Sequence, residues 1–340
     1  MKRGGSGDPG IVEARAMGPR RAPTLRRVVF LLVLGTLAAG SAGASERSVT
    51  DQLKRMSAAV RTLSYEGTLV YLHDNRVETL RIVHRIENGH VHEQIASLNG
   101  PLRTMTREQD EVTCELSKSH PFSVRRHGSA MELLAAKALD PNVLAAHYVM
   151  HPLGVARVAG RQTDVVGVIP RDELRYGYRF YLDAESGLPL KSDLMGQTSE
   201  PIEQVMFTVL NLLPTADSPT AKTGGADRSE APPAEAAIVE DDTWRFADLP
   251  SGFDVMMHDH WEDGSGRPVQ HFVLSDGLAS VSVYVENGDQ DGLEGATRIG
   301  AIHAAGGHIA GHQVTIVGEV PAATVDAVLA SVRYGGDGGP

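Results

Sequence analysis

RYGYRFYLDAESGLPLKSDL, residues 175–194, reads as a strand, a tight turn and a returning strand. Tyr178, Phe180 and Leu182 alternate with Arg179, Tyr181 and Asp183, the period of two expected of a half-buried strand. Asp183-Ala184-Glu185-Ser186-Gly187 is turn chemistry, and Gly187 can take the positive φ that closes such a turn. Leu188, Leu190, Ser192 and Leu194 alternate again, and a third strand is predicted over 202–212. The product is a meander with no catalytic residue standing out, so function is sought in what such a sheet binds.

Working outward, Leu53, Met56, Val60 and Leu63 predict a helix over 50–63 with Thr50 or Ser48 as N-cap. Strands are predicted over 65–73, 78–86, 91–97, 102–107 and 111–117, with reversals at Asn75, Asn88-Gly89, Asn99-Gly100 and Gln109-Asp110. Ser129-Ala130-Met131-Glu132 is a capping box for a short helix, and Asp140-Pro141 is expected to open another running to Tyr148. Strands over 155–158 and 163–170 lead back into the meander. Residues 45–213 thus predict one large, curved antiparallel sheet with a few helices, an α+β domain. Residues 214–242 have no aromatic side chain and are rich in Pro, Ala, Gly and acids, which predicts a linker. In 243–340, strands are expected over 244–246, 253–260, 269–275, 279–286 and 313–317, with a hairpin turn at Asp276-Gly277 and a closing helix over 322–333. That makes a second, smaller antiparallel α+β domain.

The first 44 residues read as a secretory signal peptide. Arg20, Arg21, Arg26 and Arg27 precede an apolar run over 28–39, and Ala42-Gly43-Ala44 is an A-x-A site that predicts cleavage between Ala44 and Ser45. The run is about a dozen residues, short of the roughly 20 that span a bilayer. Met17 is a second candidate start, and Arg20-Arg21 lies too far from the apolar run to favour a twin-arginine signal. Export across the inner membrane is expected. Without the leader the chain holds 25 Lys and Arg against 41 Asp and Glu, a net charge of −16. The acidity is uneven: 45–213 carries 19 against 21, while 243–340 carries 4 against 13 and no lysine. Direct nucleic-acid binding is excluded by that sign, since phosphate contacts need a basic face. An acidic C-terminal part suits a basic protein partner or is simply a solvated surface. Cys114 is the sole cysteine, so no intramolecular disulfide forms, and its alternation with Val112 and Leu116 predicts a small buried hydrophobe.

No nucleophile elbow, phosphate loop or dinucleotide fingerprint occurs, and no catalytic residue, metal ligand or cofactor is assigned. His258-Asp259-His260 places two imidazoles on one strand face, and His308 and His312 have the i,i+4 spacing of a helical zinc pair. Gly306, Gly307 and Gly311 argue against a helix there, and solvent-facing histidines are the plainer reading. A curved sheet capped by helices can enclose a lipid cavity, for which Leu69, Tyr71, Leu80, Ile82, Phe180 and Leu182 are candidate linings; ordinary core is the competing reading. Arg81 and Arg85 share one strand face and Arg125-Arg126 are placed in a loop; these four are candidates for meeting lipid phosphate, against a solvated charged surface.

Four stretches in order carry a family resemblance: TLSYEGTLVYLHDNRVETLRIVHR, YRFYLDAESGLPLKSDLM, DLPSGFDV after Trp244, and HQVTIVGEVPAATVDAVLASVRY, with the hairpin SDGLASVSVYVE between the last two. Together they resemble the MucB/RseB family of periplasmic regulators of the envelope-stress sigma factor. The resemblance implies a lipoprotein-carrier-like half-barrel joined by a linker to a smaller domain, and no catalytic residues. It implies binding to the periplasmic region of a membrane-spanning anti-sigma factor, shielding it from the site-one protease, with release by lipid or lipopolysaccharide fragments. The peptide is then expected on the C-terminal domain and in the interdomain cleft, with lipid sensed in the first domain; the contact residues are unknown and a homo-oligomer stays open. A periplasmic lipid or lipoprotein carrier is the alternative, and a zinc-dependent enzyme comes third.

Overall fold

The computed structural model describes residues 48–87, 90–99, 103–108, 111–116, 122–125, 139–198, 200–214, 243–263, 266–287 and 292–335. The leader with Ala44 and Ser45, the capping box at Ser129, Arg126 and the linker segment 215–242 lie outside them.

Helix α1 (Val49–Thr62) begins where the Ser48 hydroxyl accepts the Asp51 N–H, and it buries Leu53, Met56 and Val60 along one stripe. The strands that follow are β1 (Ser64–His73), β2 (Arg76–Glu87), β3 (His90–Ser97), β4 (Arg103–Glu108), β5 (Glu111–Leu116) and β6 (Phe122–Arg125). After the one-turn helix α2 (Pro141–Leu144) come β7 (Tyr148–Val158), β8 (Arg161–Pro170), β9 (Gly177–Asp183), β10 (Pro189–Met195) and β11 (Pro201–Leu213). All eleven pair antiparallel in one open sheet ordered β6-β5-β4-β3-β2-β1-β11-β10-β9-β8-β7. The last strand of this sheet in sequence, β11, sits beside its first, so the meander that decides the fold closes the middle of the sheet rather than its end. Bulges at Thr68/Leu69, Pro152/Gly154 and Pro189/Lys191 add local twist.

The meander is built as expected. Tyr178, Phe180 and Leu182 face the core. Asp183 accepts the Ser186 N–H at 2.9 Å and the Ser186 hydroxyl at 2.7 Å, and Gly187 closes the turn at φ 80°. A Cβ on Gly187 would also press within 3.3 Å of Arg55 on α1, so glycine serves both backbone and packing.

The C-terminal part has a six-stranded antiparallel sheet of β13 (Asp254–Glu262), β14 (Pro268–Ser275), β15 (Ser280–Asn287), β16 (Gly295–Ile299), β17 (Ile302–Ile309) and β18 (His312–Gly318), ordered β13-β14-β15-β18-β17-β16. Helix α3 (Ala322–Ser331) covers one face, and the short pair β12 (Trp244–Phe246) and β19 (Val332–Tyr334) joins the two ends of this part. Its core is valine-rich: Val281, Val283, Val285, Val314, Ile316, Val325 and Val328 pack with Phe272 and Leu274.

Several expectations need correction. The helix expected from Asp140 to Tyr148 is a single turn, because Tyr148 is needed as the first residue of β7. The terminal helix stops at Ser331 and its last residues pair as β19. Arg125, placed in a loop, ends strand β6 opposite Glu111. Strands β6, β16 and β17 escaped notice. The β17 sequence IHAAGGHI has little strand propensity, yet Gly306 is required: a Cβ there would stand 2.1 Å from the Leu293 carbonyl oxygen.

Candidate functional site

The lipid-cavity candidates separate into two core clusters. Leu69, Leu80 and Ile82 pack with Tyr65, Ile95, Leu188, Leu190 and Phe207, with Tyr71 at the margin. Phe180 and Leu182 belong to another cluster with Leu53, Met56, Leu144, Tyr148 and Val166. Arg81 and Arg85 alternate with Leu80, Ile82 and His84 along β2 and are exposed on the opposite face; Arg81 stands 4.0 Å from Glu66. Cys114 lies in β5 opposite Met105 and Phe122.

The histidines disperse. His258 stacks on Phe272 at 4.0 Å and its Nε2 lies 3.2 Å from the Gln270 side-chain oxygen, while His260 is exposed. His308 and His312 stand on β17 and β18 at either side of a two-residue turn, Ala310-Gly311, both at positive φ. His308 pairs with Glu294 at 2.5 Å and His312 lies 3.1 Å from the Ala310 carbonyl. Among the described residues no group of three or more His, Cys, Asp or Glu could hold a metal ion.

What the fold does assemble is a polar seam between the larger and smaller sheets. Arg175, at the approach to β9, has a fully buried side chain, and so does Asp276 in the β14–β15 turn. The guanidinium donates from Nη1 to Asp276 Oδ2 at 2.8 Å, from Nη2 to the Ser251 carbonyl at 2.6 Å and from Nε to Asp172 Oδ1 at 3.1 Å. It also lies against the rings of Tyr148 and Phe253. Asp276 uses its other oxygen locally, accepting the N–H groups of Leu278 and Ala279 at 2.8 and 2.7 Å. The Tyr148 hydroxyl completes the set at 2.8 Å from Asp276 Oδ2. A carboxylate removed from water is thereby met by four donors, the condition under which a buried charge is tolerated.

Three further contacts between the two parts extend the seam, and a fourth bond, from Tyr71 within the larger sheet, holds Glu203 in place. Tyr178 donates to Glu319 at 2.9 Å, and Thr324 donates to the Leu174 carbonyl. Glu203 on β11 accepts from Tyr71 at 2.5 Å and from the Ala301 N–H at 3.0 Å. Burial, then the charge of Asp276, holds the Tyr148 phenol far above its ordinary pKa. Burial and Glu319 do the same to Tyr178, and burial and the Glu203 hydrogen bond to Tyr71. The phenols therefore remain proton donors at any ordinary pH. Leu278 and Ala301, from the smaller sheet's turns, sit inside the apolar cluster of Phe180 and Tyr148. The space expected to be a peptide-holding cleft is, at Arg175, filled with side chains.

Sequence reading found the Asp276-Gly277 turn but not its partner, since Arg175 lies 101 residues away. It also missed His84 and Glu93, a buried pair joined at 2.9 Å across β2 and β3, with the imidazole stacked 4.9 Å from the Tyr65 ring. No local pattern marks either pair.

Two antiparallel-sheet domains locked by a buried polar seam define a two-domain β-rich protein, and among the described residues no group of three or more His, Cys, Asp or Glu is placed to hold a metal ion. Family models agree with the fold: the MucB/RseB N-terminal domain matches residues 48–233 and the MucB/RseB C-terminal domain matches 239–333. The chain belongs to the MucB/RseB family. It is 32% identical over 326 residues to the sigma factor AlgU regulatory protein MucB of Pseudomonas aeruginosa, covering 91% of this chain and 98% of that one. It is 26% identical over 310 residues to the sigma-E factor regulatory protein RseB of Escherichia coli K12, covering 89% and 96%. Among solved structures, MucB in complex with MucA(peri) superposes with a TM-score of 0.61 at 30% identity, covering 84% of this chain and 99% of that one.

Proposed function

We propose that this protein is a periplasmic negative regulator that binds the periplasmic region of a membrane-spanning anti-sigma factor. Bound, it shields that region from the site-one protease, and lipid or lipopolysaccharide fragments release it. The observation that carries the reading is the match along nearly the whole chain to MucB, a protein solved with MucA(peri) bound. In this reading residues 1–44 are a cleaved signal peptide, 45–213 the lipid-responsive domain, 214–242 a linker and 243–340 the partner-binding domain. The protein acts by binding and has no catalytic role of its own. The apolar face around Leu69, Leu80 and Ile82 is where an acyl chain would be sensed; their near-complete burial means that a lipid enters only by displacing core contacts.

Release follows from differential affinity. A ligand favouring the state that does not bind the anti-sigma factor lowers partner occupancy by the ratio of its affinities for the two states. The test is protease protection. The mature chain, residues 45–340, is mixed with an anti-sigma periplasmic domain and site-one protease, and cleavage is followed over time. Slowed cleavage, restored by added lipid or lipopolysaccharide fragments, is the expected result. Cleavage at the same rate with and without the chain would sink the reading and return the lipoprotein-carrier alternative, which leaves the seam to the smaller domain without a purpose.

A further inference from the structure

Helix α3 covers only one face of the six-stranded sheet. The other face carries a ring platform: His271 and Tyr284 stack 4.4 Å apart with planes 2° from parallel, and Trp261 stands edge-on to both, at 5.8 and 6.4 Å. Strand register explains the assembly. Asp259, His271, Tyr284 and Thr315 form one cross-strand row on β13, β14, β15 and β18; Trp261, Val269, Glu286 and Gln313 form the next. The outward residues His271, Val273, Ser282, Tyr284, Thr315 and Val317 are half-buried and Trp261 is 43% exposed. Val269 and Gln313 in the Trp261 row are buried, Gln313 donating to the Leu293 carbonyl, so the open part of the face is the ring row with Trp261 and Glu286. A large indole left in water on a sheet face is costly unless something covers it.

Charge identifies the occupant. Asp259 lies in the ring row and Glu286 at its side, and neither has a cation within ion-pair reach among the described residues. The whole C-terminal part carries 4 Lys and Arg against 13 Asp and Glu. A second copy of the same face would bring carboxylate to carboxylate, and a nucleic acid would be repelled. A guanidinium or ammonium group, by contrast, gains both the π faces of Trp261 and Tyr284 and two flanking carboxylates. We propose that this face docks an extended, arginine- or lysine-bearing segment of the anti-sigma factor's periplasmic region. The inference rests on the proposed function and names the surface and chemistry by which the partner is held; the filled seam at Arg175 is the reason the contact falls outside it.

The test is titration calorimetry of the mature chain with the MucA periplasmic domain as probe, at low and high salt. Trp261→Ala should weaken binding by about 30-fold or more, while Trp261→Phe keeps most of the affinity. The double variant Asp259→Asn/Glu286→Gln should weaken it by about 5- to 10-fold and flatten its salt dependence. Trp244 is buried, so acrylamide quenching reads Trp261, which should become protected in the complex. If the wild-type chain binds but every variant binds equally and quenching is unchanged, this surface is wrong and the regulatory reading stands. If the wild-type chain itself fails to bind, both fall.

Discussion

Asp276 and Asp259 are both aspartates of the acidic C-terminal part, and both lie beside aromatic side chains, yet they meet opposite fates. Asp276 is fully buried and receives Arg175, Tyr148 and two backbone N–H groups. Asp259 lies half-exposed beside Trp261, His271 and Tyr284 with no described cation to answer it. The difference teaches that the acidity of this part has two uses. Some carboxylates hold the domains together through desolvated, fully partnered bonds; others remain on a surface where their field is still available to a partner.

The comparison can be broken most forcefully at the seam. Arg175→Met leaves the Asp276 carboxylate buried without its cation and should cost about 3–5 kcal/mol of stability in urea denaturation. The same variant should spread unfolding over two transitions, visible by calorimetry, because the larger and smaller sheets lose their strongest link. A loss under about 1 kcal/mol would mean that the seam is not structural. This point variant is a cleaner probe than deleting 243–340, which would also strip cover from Tyr178 and from the cluster around Leu278.

An intermediate case sharpens the contrast. Asp183, in the meander turn, is buried but bonded to a partly exposed Arg161 at 2.8 and 2.9 Å. Burial alone would raise its pKa, but the Arg161 and Ser186 hydrogen bonds outweigh that and hold it below the ordinary value. A depressed folded-state pKa stabilises above the unfolded value of about 3.9 and loses that contribution as pH falls through the lower folded value. Arg161→Gln should therefore cost about 1.5–3 kcal/mol at neutral pH, with the gap to wild type closing below about pH 3–4. Parallel stability curves over that range would refute the assignment.

Tyr148→Phe removes one of four donors to Asp276 and should cost about 1 kcal/mol, well short of Arg175→Met. Equal losses would show that the phenol, not the guanidinium, carries the seam. At the small end, Trp261→Ala should change thermal stability by no more than about 0.5–1 kcal/mol, since the indole is partly in water already. A loss above 2 kcal/mol would place Trp261 in the fold rather than on a binding face.

Strand existence was largely legible, because a period of two is written in adjacent residues: β1, β2 and β9 follow their alternation, β10 does so except at the buried Asp193, and Ser48, Asp183 and Asp276 announce a cap and two turns. Where propensity was weak the reading failed, as in the glycine-rich β17, whose strand is imposed by β16 and β18 on either side. The helix through Tyr148 failed for the complementary reason: a favourable start at Asp140-Pro141 says nothing about the strand that needs the residues after it.

By itself, then, the sequence determined the antiparallel architecture, the acidic C-terminal part and the family, since periodicity, composition and motif order are local or additive along the chain. Only the tertiary structure decided that β11 pairs with β1, that Arg175 meets Asp276, and that Trp261, His271 and Tyr284 share one face. Those contacts join residues far apart in sequence, and their energies come from desolvation and packing that exist only once the strands are in register.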